Sequence, residues 1–259
     1  MGHALPFPSA RFHATIPVSI LRCPMTRILC SALLFDMDGV LVDSTAAVAR
    51  AWSNWAIKQG MDPGFVIKTA HGRTSLVSVQ ELLPHASDAV HHQENSWLEQ
   101  AEIDDVADVT ALPGARELLA SIPASQFAVV TSATRPLAEV RLRAAGLLDF
   151  VGHLVTASDI ERSKPDPEPY FSGAAALGVP PANCVVIEDA PSGVRSGKAA
   201  GCRVLAIRTT THDPELLAEG ADWIINDCAS IRLAASSSPR ELALDLADDS
   251  RNPRIPQMG

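Results

Sequence analysis

Six short apolar runs set the limits on what this chain can become. ALLFD (32–36), FAVVTS (127–132), HLVTA (153–157), CVVIED (184–189), CRVLAI (202–207) and DWIIN (222–226) are mostly continuous. Such runs suit parallel strands covered on both faces, since a strand with one wet face alternates instead. Between them lie PGARELLASI, PLAEVRLRAAGL, PEPYFSGAAALG, SGVRSGKAAG and DPELLAEG. Several carry Pro near the start and Gly past the end, the usual helix punctuation. Strand and helix in alternation predict an α/β fold with a doubly wound parallel sheet core, Rossmann-like in outline.

The alternation fails once. From Ser44 to about Val109 helical patterns follow one another with no convincing strand. This predicts a helical cap (44–109) inserted after the first strand, leaving 25–43 and 110–234 as the α/β core. STAAVARAWSNWAIKQG puts Val48, Ala51, Trp52 and Trp55 on one helical face, a spacing that favours core packing over a ligand pocket. Residues 1–24 contain no acid and four prolines, and are expected to form a disordered N-terminal extension. The Ser/Pro/Asp-rich residues 235–259 are expected to be a disordered C-terminal tail.

Charge and cysteine usage remove other classes. A net charge of −9 with no Lys/Arg stripe argues against a nucleic-acid partner. No apolar run approaches a membrane span. The five cysteines lie far apart with no Cys-x-x-Cys pair, and read as reduced core thiols of a cytoplasmic protein. A monomer or weak dimer is expected.

In an open parallel sheet, ligands bind beyond the carboxyl ends of the strands. There the first run ends in Asp36 and Asp38, the second in Thr131 and Ser132, and the fourth in Glu188 and Asp189. Lys164 follows the third, in SKPDPEPY. Taken singly each has a plain reading, as turn, cap or solvated loop. Taken together they place four carboxylates, hydroxyls and one ammonium on one edge. Carboxylates without His or Cys are hard oxygen ligands suited to Mg²⁺, which would neutralise their mutual repulsion. An ionised Asp needs no base to act as nucleophile and can carry a phosphoryl group. Lys164, Thr131 and loop N–H groups near Gly39 could face the phosphate oxygens.

FDMDGVLVDS, VVTSATR, SKPDPEPY and VVIEDAPSGVRSGKAAG resemble, in order, the four motifs of the haloacid dehalogenase-like hydrolase superfamily, over roughly Met25 to Leu233. AWSNWA, HGRTS, KPDPEPY and EDAPSGV with GKAAGC narrow the likeness to bacterial sugar phosphatases and fungal glycerol-phosphate and deoxyglucose-phosphate phosphatases. The resemblance implies Asp36 as the nucleophile that becomes an aspartyl-phosphate. It implies Asp38 as acid and base, with its backbone carbonyl on Mg²⁺. Thr131 and Ser132 would bind phosphate, and Lys164 would balance charge. Asp189 would complete the metal site with Asp36, with Glu188 in a direct or water-mediated role. In the cap, TAHGRTSL is the expected specificity loop, with His71, Gly72 and Arg73. Asp43 to Thr45 would form the hinge.

The reading is therefore a Mg²⁺-dependent phosphatase of small phosphorylated sugars or polyols. A phosphohexose mutase shares all four motifs and is the alternative. Haloacid dehalogenation needs neither Asp38 nor a metal, and a catalytically silent binding domain has no need to retain this charge cluster.

Overall fold

The six apolar runs form one parallel sheet. The structure, a computed structural model, describes Met1 and residues 26–70, 73–236 and 238–247. The chain runs through β1 (Thr26–Cys30), β2 (Ala32–Phe35) and β3 (Val42–Asp43) into four helices. These are α1 (Thr45–Gln59), α2 (Pro63–Ala70), α3 (Ser75–Leu82) and α4 (Asp88–Asp104). It returns through β4 (Thr110–Ala111) to α5 (Ala115–Ser121), β5 (Phe127–Val130), α6 (Arg135–Ala144), β6 (Leu154–Val155) and α7 (Glu168–Ala176). Then come β7 (Cys184–Glu188), α8 (Pro191–Ala199), β8 (Arg203–Ile207), α9 (Asp213–Ala218), β9 (Trp223–Ile225), β10 (Ile231–Ala234) and β11 (Leu242–Leu246).

The main sheet has the order β6-β5-β2-β7-β8-β9, with every described pairing parallel. Its residues split by the two-residue period of a strand. Leu33, Phe35, Phe127, Val129, Val185 and Ile187 enter one core, and Ala32, Leu34, Ala128, Val130, Cys184 and Val186 the other. Both faces are thus dry, which is why the runs carry no alternation. Each fully buried large aliphatic side chain contributes roughly 1.5–3 kcal/mol. The chain proceeds from β2 outward to β5 and β6, then crosses back to β7 on the other side of β2. The carboxyl ends of β2 and β7 therefore flank the switch point where such sheets bind ligands.

Helices α1 to α4 pack around Trp55, Val66, Val79 and Leu98, a small core of their own. Trp52 and Trp55 meet edge to face at 5.7 Å, and the buried Trp55 indole donates to Glu94 at 2.9 Å. Both connections to the rest of the chain run through an antiparallel ladder, Val42 opposite Ala111 and Asp43 opposite Thr110. Beside it Arg50 forks onto Asp105 at 2.7 Å and Asp108 at 2.8 Å.

The tail expected over 235–259 is corrected. Within it β11 is the middle strand of a second sheet, β1-β11-β10, antiparallel throughout. Leu242, Leu244 and Leu246 are buried. Asp245, one of the acids that gave the segment its tail-like composition, lies opposite Arg27 and accepts from it at 2.6 and 2.7 Å. The rest of that expectation, beyond Ala247, and the expected extension over 1–24 fall outside the described residues, apart from Met1. Cys30, Cys184, Cys202 and Cys228 are buried free thiols. No described helix is long and apolar enough to cross a membrane.

Candidate active site

Asp36 follows β2 directly, and its N–H is tied to Ile187 O at 2.9 Å, so the backbone there is fixed by the sheet. The chain then turns sharply at Gly39, whose φ of +83° is open to glycine at little cost. A Cβ at this position would also collide with the Asp189 carboxylate. The turn brings Asp38 back beside Ser44, which donates to its Oδ1 at 2.6 Å. The Asp36 side chain is 12% exposed, whereas that of Asp38 is 30% exposed and faces the cavity. One carboxylate sits on the floor and the other on the wall.

Lys164 reaches the floor from the loop before α7. Its Nζ, almost fully buried, lies 2.5 Å from Asp36 Oδ1, 2.7 Å from Glu188 Oε1 and 3.1 Å from Val130 O. Burial alone would lower its pKa, but the two carboxylates outweigh burial and hold it above the ordinary lysine value. Glu188, at the end of β7, accepts four hydrogen bonds. Oε1 takes Lys164 and the Tyr170 hydroxyl at 2.8 Å, while Oε2 takes the N–H groups of Asp189 at 3.0 Å and Ala190 at 3.1 Å. The first turn of α8 closes over it at Gly193, where a Cβ would overlap the Glu188 carboxylate.

Asp36, Glu188 and Asp189 each offer an oxygen within 4.8 Å of the others. Burial, with its neighbours' negative charge, pushes Asp36 up to about 7 against the pull of Lys164. Burial likewise drives Asp189 well above the usual carboxylate range, although the Thr210 hydroxyl donates to it. Three buried carboxylates against one ammonium form a set that calls for a further cation. An all-oxygen donor set fits a hard divalent ion.

Thr131, buried at the end of β5, accepts from Ala133 N at 3.1 Å through its hydroxyl oxygen, leaving the O–H free to donate. Ser132 lines the same cavity, as does Arg73 from the cap. The Arg73 guanidinium pairs with Glu81 at 2.5 Å. His71 and Gly72 lie outside the described residues. The cavity encloses about 490 Å³ between core and cap.

Several of its residues escaped the sequence reading. Arg141 on α6 is 4% exposed, with Nη1 3.0 Å from Asp38 Oδ2 and Nη2 3.3 Å from Glu102 Oε2 on cap helix α4. One turn earlier on α4, Glu99 accepts from the Thr134 hydroxyl at the start of α6. Burial raises the Glu102 carboxyl above its ordinary range, opposed by the Arg141 charge. The available signal was an acidic pair three residues apart in WLEQAEID, with Trp97 beside it. Trp52 does two jobs: it packs on Trp55 and also lines the cavity.

A family model described as hydrolase, haloacid dehalogenase-like hydrolase, matches residues 30–201. The chain belongs to the haloacid dehalogenase-like hydrolase family. Among its relatives, hexitol phosphatase A of Escherichia coli is 44% identical over 192 residues, covering 72% of this chain and 87% of that protein. Glycerol-1-phosphate phosphohydrolase 2 of Saccharomyces cerevisiae is 32% identical over 232 residues, covering 85% and 91%. The fold of this haloacid dehalogenase-like hydrolase is shared by a crystal structure of a hydrolase from Pseudomonas syringae. That match has a TM-score of 0.71 at 24% identity and covers 77% of this chain and 94% of the other.

Proposed function

We propose that this hydrolase removes the phosphate from small sugar or polyol phosphates, with Asp36 as nucleophile and Asp38 as acid and base. The observation that carries the reading is the separation of environments. Asp36 is fixed on a buried floor by Lys164, while Asp38, two residues on, stands at the cavity wall with its carboxylate held by Ser44 and Arg141. The names of the similar proteins, hexitol phosphatase and glycerol-1-phosphate phosphohydrolase, support the same substrate class.

In the first step an Asp36 oxygen attacks phosphorus, and the bond from phosphorus to the substrate oxygen breaks. Asp38 supplies the proton that the departing alkoxide needs. In the second step water attacks the aspartyl-phosphate, Asp38 takes the water proton, and the bond from Asp36 oxygen to phosphorus breaks to release phosphate. Lys164 and the Thr131 hydroxyl face the phosphate oxygens and stabilise their charge. Asp36 and Asp189 would hold Mg²⁺, since the Glu188 oxygens are engaged by four donors and act to position Lys164. When bound, the ion screens the carboxylates from the incoming phosphate and polarises it.

Phosphate release from a panel of hexitol, hexose and glycerol phosphates, at substrate excess, tests the reading. Excess chelator and Asp36→Asn should each abolish release, the latter by roughly 10⁴-fold or more. Transfer of phosphate between sugar positions without release would instead establish the mutase. Full turnover by Asp36→Asn would exclude the nucleophile assignment.

A further inference from the structure

The cavity has two ends of different character. The core end has the ammonium, hydroxyl and cation-binding set that a phosphate needs. The cap end presents Glu99 and Glu102, one helical turn apart on α4, both lining the cavity. Among the described lining residues there are six carboxylates and only three cations, Arg73, Arg141 and Lys164. Each cation is already ion-paired, although Arg141 Nε and Nη2 make no hydrogen bond among the described residues. Lys164 serves Asp36 and Glu188, Arg141 is shared between Asp38 and Glu102, and Arg73 is paired with Glu81 from outside the cavity. A divalent ion at the floor would offset the floor carboxylates but leave Glu99 and Glu102 at the cap end with only Arg141, which Asp38 also shares.

We infer that Glu99 and Glu102 determine specificity, by reading hydroxyl groups and rejecting a second negative charge. A carboxylate accepts hydrogen bonds and donates none when ionised, so it matches the O–H groups of a polyhydroxy chain. It repels a remote phosphate or carboxylate on the substrate at close range. A site built this way discriminates by refusing the wrong partner as well as by holding the right one. The substrates are monophosphates whose remaining body is neutral and hydroxyl-rich; sugar bisphosphates and phosphorylated sugar acids are excluded. This inference rests on the phosphatase reading above and names the selectivity of that site. It also separates the enzyme from a phosphohexose mutase, which must retain a bisphosphate in its cavity.

Glu99 is the better test position, because it is only partly buried, whereas Glu102 belongs to a buried ion pair. Glu99→Gln keeps size and an oxygen for the Thr134 hydroxyl while removing the charge. Values of kcat/KM are measured for a hexitol monophosphate, a hexose bisphosphate and p-nitrophenyl phosphate, with parent enzyme, Glu99→Gln and Glu102→Gln. The parent should favour the monophosphate over the bisphosphate by about 10²-fold or more. In Glu99→Gln that ratio should fall about ten-fold, from weaker hydroxyl binding and from loss of repulsion. Glu102→Gln, if it folds, should shift the ratio in the same direction. A purely structural effect lowers both substrates together. An unchanged ratio in Glu99→Gln, or equal use of both substrates by the parent, would overturn the inference while leaving the phosphatase reading intact. No phosphate released from any of the three, p-nitrophenyl phosphate included, would overturn the phosphatase reading and this inference with it.

Discussion

Arg141 and Asp38 stand 103 residues apart in the chain and 3.0 Å apart in space. The same guanidinium reaches Glu102 on the cap at 3.3 Å, so one buried cation bridges the loop after β2 and helix α4. Removing one partner of a buried pair leaves the other charges uncompensated and costs about 3–5 kcal/mol. Arg141→Met should lower the unfolding midpoint accordingly, with Arg141→Lys intermediate. Turnover of sugar phosphates should fall more than the initial burst of nitrophenolate from p-nitrophenyl phosphate, because the first step on the latter needs no proton from Asp38. Equal losses on both substrates would show that Arg141 supports the fold without orienting the acid.

The two aspartates should separate by leaving group. On the proposed mechanism Asp38→Asn removes the proton donor and the base, a contribution worth about 10²–10⁴-fold on an alkoxide leaving group. Nitrophenolate leaves without protonation, so the variant should still phosphorylate Asp36 and then stall for want of the base. Rapid mixing should reveal a burst of nitrophenolate followed by slow turnover. Sugar-phosphate hydrolysis at the parental rate would move the acid–base role to another cavity residue.

Gly193 tests the packing behind the floor. A methyl group there overlaps the Glu188 carboxylate, which in turn orients Lys164. Gly193→Ala should cost about 1–3 kcal/mol in stability, as overpacked sites do. Displacement of the floor by even an ångström can cost on the order of 10²-fold in rate. A fully active Gly193→Ala variant, measured by phosphate release and thermal unfolding, would show that Glu188 has room to move.

The second sheet carries an acid-sensitive tie. The hydrogen bond from Arg27 holds the Asp245 carboxyl below its ordinary range. A carboxyl lowered by folding contributes stability above its unfolded value, and that contribution is lost as pH falls through the folded value. Denaturant midpoints should therefore drop more steeply for the parent than for Asp245→Asn below about pH 4. Parallel curves would mean that the pair contributes nothing measurable, as exposed pairs often do.

What could be read from the sequence follows from what periodicity reports. Continuous apolar runs revealed strands dry on both sides, and strand ends located Asp36, Thr131 and Glu188 because the sheet itself aligns them. Periodicity does not say which distant segment covers a surface. LALDL (242–246) looked like tail because Asp245 is charged, and its partner Arg27 lies 218 residues away. Arg141 and Glu102 are likewise invisible as a pair, being unremarkable charges on two separate amphipathic helices. The helical spacing of Trp52 speaks for packing, and its second face is legible only with α1 laid against the cavity.

The ladder of β3 and β4 leaves a further mark on what can be built from this chain. Asp43 sits opposite Thr110, so the polypeptide departs from the sheet domain and rejoins it one strand spacing away, about 5 Å. To the sheet domain, everything between those two residues is a closed excursion with a fixed doorway. Asp36 and Lys164 hold each other from the sheet side of that doorway, whereas Asp38 also leans on Ser44 and, through Arg141, on Glu102 from within the excursion. Selectivity then becomes an exchangeable cartridge with two fixed pins: a foreign cap that keeps a hydroxyl at Ser44 and a carboxylate facing Arg141 should bring its own substrate range and leave Asp38 in place.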